Sequence, residues 1–285
     1  MKRRTFIRDL GVVMAGTSLA LRRVRASGDA SSRRRLPRIG LELYAVRGAM
    51  RKDPEGTLVG IGEMGYTDVE LLWSQGNFGR STEQVRAALE RSGLHAPSAH
   101  IAPESLLSDW ARSLETAKAL GHDYLIVPSL PSETQHSLDA WRKWADNFNH
   151  AGAAARQAGI WLAFHNEPDH MKLVEGAVPY DVFVQRTDPS LVRLQLDVGN
   201  MALGGGDPFA YLRRHRERYW SFHLKDVVAD GSRDTELGTG RIDFKRLLAA
   251  IPEIERKPCY VEQEGPSDEI ASARTNYAYL KGLEF

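Results

Sequence analysis

The chain has 285 residues, 42% of them hydrophobic, which suffices to bury one sizeable core. Its single cysteine, Cys259, excludes an intramolecular disulfide framework, and the apolar run around it reads as a buried strand. The near-balance of 38 basic and 37 acidic residues conceals a split: residues 1–36 hold ten Lys and Arg against two acids, leaving 28 basic and 35 acidic residues in the remainder. So acidic a body lacks the positive field that nucleic-acid binding needs.

The N-terminus reads MKRRTFIRDLGVVMAGTSLAL. A basic segment precedes a weakly apolar stretch, Leu10 to Leu21, shorter than the roughly 20 apolar residues of a membrane span. The run Lys2-Arg3-Arg4-Thr5-Phe6-Ile7-Arg8 resembles a twin-arginine export signal; the alternative is a basic amphipathic tail. The resemblance implies a periplasmic or extracellular protein, exported already folded and with any cofactor loaded. Val24-Arg25-Ala26 offers a cleavage site, and Ser27 to Arg35 reads as a polar linker. The expected organisation is a signal and linker over residues 1–36 and one domain over 37–285.

From Leu36 onward, short β-rich runs alternate with helical patterns. The runs are IGLELY (39–44), TDVELL (67–72), HAPSAH (95–100), DYLIVP (123–128), IWLAFH (160–165), VRLQLD (192–197), YWSFHLK (219–225) and CYVEQ (259–263). Between them, Thr82 to Ser92, Leu106 to Leu120 and Leu138 to Ala158 carry apolar residues at helical spacing. Gly65, Gly93, Gly121 and Gly159 each follow a helical pattern and precede a strand, as helix-ending glycines do. Eight such alternations predict a single (β/α)8 TIM barrel. The alternative is an open doubly wound sheet, but no Gly-rich phosphate loop follows the first strand.

In such a barrel the C-terminal strand ends converge on one mouth. Metal-capable groups stand at six of these ends: Glu70, His100, His165, Asp197, His223 and Glu262. Each alone has a structural explanation, such as a helix-capping Asp or a satisfied core His. Four of them, on the successive segments LAFHN, LQLDVGN, SFHLKD and CYVEQE, together point to a metal site.

Here the chain resembles the xylose isomerase-like barrel superfamily, the sugar phosphate isomerase/epimerase family, over residues 38–285. The resemblance rests on GLELYAVR, GYTDVELL, LQLDVGN, FHLKDV, LGTGRIDFKRLL and YVEQE. It implies Asp197 and His223 as metal ligands, Glu262 as ligand and base, and Lys225 beside the substrate. Where many members carry a fifth-strand Glu, this chain has His165-Asn166-Glu167. By register His165 takes the ligand position, while Glu167 shares its strand parity and is the alternative.

The expected cofactor is one divalent ion, Mn, Co, Fe or Zn, held by His165, Asp197, His223 and Glu262; mixed N and O donors suit these better than Mg. The expected chemistry is proton removal next to a carbonyl of a keto-sugar or related polyol, through an enediolate. Glu262 is the candidate base, and Lys225 stabilises an oxyanion or protonates a leaving group. Glu70, His100 and Asn166 are candidate hydroxyl contacts, each with second-layer support as the alternative, and Trp73 is the candidate aromatic platform. The family reading is a sugar isomerase/epimerase. Loss of the fifth-strand Glu brings a dehydratase or keto-glycoside lyase close behind. A non-catalytic sugar-binding module and a metal-dependent endonuclease are the rivals, the latter disfavoured by the acidic body. A carbohydrate is the expected partner, with no stable membrane span; the oligomeric state is open.

Overall fold

Strands form where the sequence places apolar and β-branched runs between glycine-ended helices. The structure, a computed structural model, describes residues 34–285. The expected export signal and all but the last residues of the expected linker therefore lie outside the described residues. Ten strands are present among these residues: β1 (Gly40–Glu42), β2 (Asp68–Leu72), β3 (His95–His100), β4 (Tyr124–Val127), β5 (Trp161–His165), β6 (Val192–Asp197), β7 (Tyr219–Leu224), β8 (Asp226–Val227), β9 (Asp234–Thr235) and β10 (Cys259–Val261). All but β8 and β9 close into a parallel barrel in the order β1-β10-β7-β6-β5-β4-β3-β2, with helices between successive strands. The (β/α)8 expectation holds. β8 and β9 form a small antiparallel ribbon beyond the end of β7.

The helix ends follow local chemistry. Ser81 and Gln84 form a reciprocal capping box at the start of Thr82–Ser92. Gly65, Gly93, Gly121 and Gly159 all have positive φ. The expected helix from Leu106 begins later, at Trp110, because Pro103–Leu106 forms a separate 3-10 turn. At the chain's end, Arg34 and Phe285 exchange two backbone hydrogen bonds of 2.9 and 3.0 Å, which tie the start of the described chain to its C-terminus. Among the described residues no helix is long and apolar enough to cross a membrane.

Side-chain parity divides each barrel strand between two environments. The apolar series faces the helices: Phe164 of β5 packs against Trp141, Phe148 and Phe183. The other series points into the lumen, and the proof is that its hydrogen bonds join strands that are not neighbours. Gln195 of β6 donates to Glu70 of β2 at 3.0 Å, and Ser98 of β3 meets Tyr260 of β10 at 2.7 Å. At the N-terminal end the lumen is closed by Arg193 of β6. Its guanidinium lies over Trp161 at 3.5 Å and Trp220 at 3.7 Å and donates to the Tyr124 hydroxyl at 2.6 Å. At the C-terminal end the same parity delivers the polar groups of the mouth.

Candidate metal centre

Continuing the inward series by two residues brings Glu42, His100, His165, Asp197, His223 and Glu262 to one level. His165, Asp197, His223 and Glu262 are all buried, each with a ligand-type atom within 4.8 Å of the others. Asp197 divides its carboxylate. One oxygen, Oδ1, caps the short helix Val198–Leu203 by accepting from the Asn200 N–H at 2.7 Å. The other, Oδ2, is buried without a hydrogen bond; Lys225 Nζ lies 3.1 Å away outside hydrogen-bonding geometry. Capping thus occupies one oxygen of the side chain and leaves the other available to a ligand.

His165 faces it. Its Nδ1–H donates to the Pro128 carbonyl at 3.3 Å, which leaves Nε2 as the lone-pair nitrogen. Nε2 is buried, has no hydrogen-bond partner, and lies 3.6 Å from Asp197 Oδ2, too far for a hydrogen bond. Burial pushes the His165 pKa down, so the ring is the neutral imidazole that coordination requires. Two buried polar atoms converging without partners fit a divalent cation, and two imidazoles with two carboxylates suit Mn, Fe, Co or Zn.

His223 is held from both sides. Its Nε2 lies 2.5 Å from Glu70 Oε2 and its Nδ1 2.6 Å from Glu262 Oε2. Burial pulls its pKa down, but the two carboxylates outweigh this and raise it well above the usual imidazole range. Glu70 is itself fixed by Ser98 at 2.6 Å and by Gln195, and it meets His100 Nε2 at 3.0 Å. A carboxylate behind an imidazole sets which nitrogen faces the site, here Nδ1. Glu70, His100 and His223 also form a metal-capable trio. Its atoms are spent on one another and on Gln195, whereas the first group keeps two atoms without a hydrogen bond, His165 Nε2 and Asp197 Oδ2.

Lys225 is fully buried. It donates to Glu264 at 2.5 Å and to Asn200 Oδ1 at 2.8 Å, and lies 3.2 Å from Glu262 Oε1. Burial works against its charge, but Asp197, Glu262 and Glu264 raise its pKa well above the usual lysine range. Gly199 makes this possible: a Cβ there would lie 2.5 Å from Lys225 Cγ. Burial likewise pushes Glu262 up, but Lys225 and His223 overcome it and hold the carboxyl well below the usual range.

The mouth is a cavity of about 330 Å³ whose lining includes Glu42, Tyr44, His100, His165, Glu167 and Glu262. Of the expected substrate contacts, His100 lines it. Three do not. Glu70 is buried beneath the mouth and bonded on every side described above. Asn166 is fully buried and spends its amide on the backbone of Asp197, at 2.9 and 3.0 Å. Trp73 packs beside His122, ring centroids 5.4 Å apart, and its place at the mouth is taken by Tyr44. Glu70 points inward from β2 but lies deep, Asn166 has the parity opposite to inward-facing His165, and Trp73 opens the 3-10 segment that follows β2.

Glu42 and Glu264 at the mouth escaped the sequence reading as site residues, and Glu167 entered it only as the alternative to His165. Glu42 ends β1 in the same register as Glu70, a signal that was available. Burial pushes its carboxyl up, and Glu262 adds to the effect. Glu167 is 32% exposed at the mouth. Its carboxyl is pushed up to about 8, first by removal from water, then by Glu262, Glu264 and Asp197 against the pull of Lys225. The 3-10 turn Pro168–Met171 holds it, with the Glu167 N–H donating to His170 Nδ1 at 3.0 Å.

Residues 61–283 match the family described as xylose isomerase-like TIM barrel. An inosose dehydratase 2 of Bacillus cereus is 27% identical over 208 residues, covering 66% of this chain and 68% of that protein. Further inosose dehydratases align over 58% or 38% of their own length. Among solved structures, a sugar phosphate isomerase/epimerase from Parabacteroides distasonis ATCC 8503 superposes with TM-score 0.76 at 22% identity, covering 88% of this chain and 98% of that one. The IolI protein with a bound zinc atom superposes with TM-score 0.66 at 14% identity, covering 85% and 95%. Both share the fold.

Proposed function

The chain belongs to the xylose isomerase-like TIM barrel family and is an enzyme of the sugar isomerase/epimerase-like kind, and we propose that it eliminates water from a keto-polyol or keto-sugar at a divalent-metal site. The observation that carries this reading is the pair of orphaned atoms, His165 Nε2 and Asp197 Oδ2, beneath two carboxyls of opposite character, Glu262 and Glu167. His165, Asp197, His223 and Glu262 hold the metal. When bound, the metal supplies Lewis acidity that favours negative charge on a substrate carbonyl oxygen.

Glu262, held ionised, takes the proton from the carbon next to the carbonyl. Glu167, whose carboxyl is pushed up and so favours the protonated form, gives its proton to the hydroxyl that leaves as water. One C–H and one C–O bond break, and a C=C bond forms beside the carbonyl. Lys225 remains a fixed cation that offsets the carboxylates around it. His100 and Tyr44 bind and orient the ring, and Glu70 fixes the His223 ring from behind. The inosose dehydratase relatives support elimination, and the zinc-bearing IolI structure supports a metal in this barrel. Export to the periplasm is proposed on the sequence alone; cell fractionation that finds the protein uncleaved in the cytoplasm would overturn it.

Epimerisation is the second reading, favoured by the same carboxyl pair, since a base and a proton-bearing acid at one mouth also serve inversion. The test offers keto-polyols and keto-sugars in D2O to the purified protein supplied in turn with Mn, Co, Fe and Zn. Elimination is expected: a product lighter by one water that absorbs as an enone. Retained mass with one solvent deuterium selects epimerisation. Saccharide binding with neither product nor exchange selects the non-catalytic module.

A further inference from the structure

Four polar side chains cross the mouth in a line. Glu167 Oε2 accepts from Asn200 Nδ2 at 3.1 Å, Asn200 Oδ1 accepts from Lys225 Nζ at 2.8 Å, and Lys225 Nζ donates to Glu264 Oε1 at 2.5 Å. The line joins the segments that follow β5, β6, β7 and β10. Asn200 is its centre. It is buried, and its backbone N–H also holds Asp197 Oδ1.

Chemistry fixes the orientation of the Asn200 amide. An ammonium has only donors, so Lys225 requires the amide oxygen and leaves the N–H₂ to face Glu167 Oε2. Turning the amide over would set its N–H₂ against Lys225 and its oxygen against Glu167. Lys225 therefore allows one orientation, and that orientation in turn aims Glu167. Glu167 needs such help because it sits on a loop at the mouth rather than within β5. A packed side chain alone would not choose between its two carboxyl oxygens.

We propose that Asn200 is a positioning residue that aims the Glu167 carboxyl at the substrate by holding its Oε2 against the Lys225 ammonium; this rests on the role given to Glu167 above. Asn200 does not line the cavity and touches no substrate. It acts through Glu167, so its removal lowers the rate of the chemical step more than the affinity for substrate.

The test is Asn200→Asp, which keeps the shape and the acceptor toward Lys225 but replaces the amide donor toward Glu167 Oε2 with a second acceptor oxygen. The expected result is a fall in kcat of about tenfold to a hundredfold with KM within about threefold and metal content unchanged. A kcat within about twofold of the parent overturns the proposal. The double variant Glu167→Gln/Asn200→Asp restores a donor opposite the new carboxylate. Its melting temperature should therefore recover from that of Asn200→Asp by about 2 °C or more. Absence of recovery overturns the contact whether or not a substrate has been found. If the parent turns over no keto-polyol, the elimination reading fails by itself and the melting comparison still decides this one.

Discussion

The two ends of the barrel lumen both bury charge, and they do so in opposite ways. At the N-terminal end Arg193 lies between Trp161 and Trp220 and gives a hydrogen bond to Tyr124, so the cation's partners are aromatic faces and a hydroxyl supplied by the fold. Burial lowers its pKa to about 10, which still leaves it charged at neutral pH. At the C-terminal end His165 Nε2 and Asp197 Oδ2 make no hydrogen bond, although the Lys225 ammonium lies 3.1 Å from Asp197 Oδ2. Charge inside a barrel is therefore no sign of function by itself. Convergence is the sign: His122 Nε2 and His170 Nε2 are also buried without a hydrogen bond but belong to no ligand cluster, whereas His165 Nε2 and Asp197 Oδ2 meet within one.

Substitutions at the two ends should separate these roles. The largest effect is expected for Asp197→Asn, which keeps the capping oxygen for Asn200 but removes the second charged oxygen. Metal should be lost and kcat/KM should fall about a thousandfold or more, with the circular dichroism spectrum intact. Retained metal and activity would return Asp197 to a capping residue. Next comes Arg193→Met at the closed end. It should cost about 2 kcal/mol of stability through the lost hydrogen bond and ring contacts, lowering the melting temperature by a few degrees. Activity per folded molecule should not change; a fall in kcat would dissolve the distinction between the two ends.

A smaller effect belongs to the wall of the mouth. His170 stacks on Phe164 with centroids 5.4 Å apart, meets the edge of Trp141, and accepts the Glu167 N–H. Burial pushes its pKa down to about 3. The folded protein thus keeps His170 neutral while the unfolded chain protonates it below about pH 6.5, so its contribution is complete above that value and declines as pH falls toward 3. At pH 5.5 the loss is about 1 kcal/mol. Denaturant midpoints followed from pH 7 to 4 should fall less steeply in His170→Asn than in the parent, and parallel curves would remove His170 from the acid response.

Much of this was legible in the sequence, for identifiable reasons. β3 and β6 occupy residues 95–100 and 192–197 as expected, because strand ends there coincide with a glycine-ended helix and with a capping Asp. The four expected metal-binding residues come together because period-two parity carries His165, Asp197, His223 and Glu262 into one lumen. Depth was not legible. Glu70 and Asn166 share the polarity of substrate contacts but lie among partners contributed by β3, β6 and β7, or by the backbone after β6, contacts that no local pattern encodes. Glu167 was weighed as an alternative ligand; its raised pKa comes first from removal from water and then from Glu262, Glu264 and Asp197 on other segments, none of which can be read from His165-Asn166-Glu167. Asn200 was hidden for a simpler reason: an Asn in a short helix after LQLD looks like ordinary helix sequence until Lys225 arrives from β7.

The most direct test is metal content of the purified protein beside His223→Ala, each incubated with Mn, Co and Zn and freed of excess. About one ion per chain in the parent, and strong loss in the variant, is the predicted result. No bound metal in the parent, or equal metal in both, would contradict a metal centre built from His165, Asp197, His223 and Glu262.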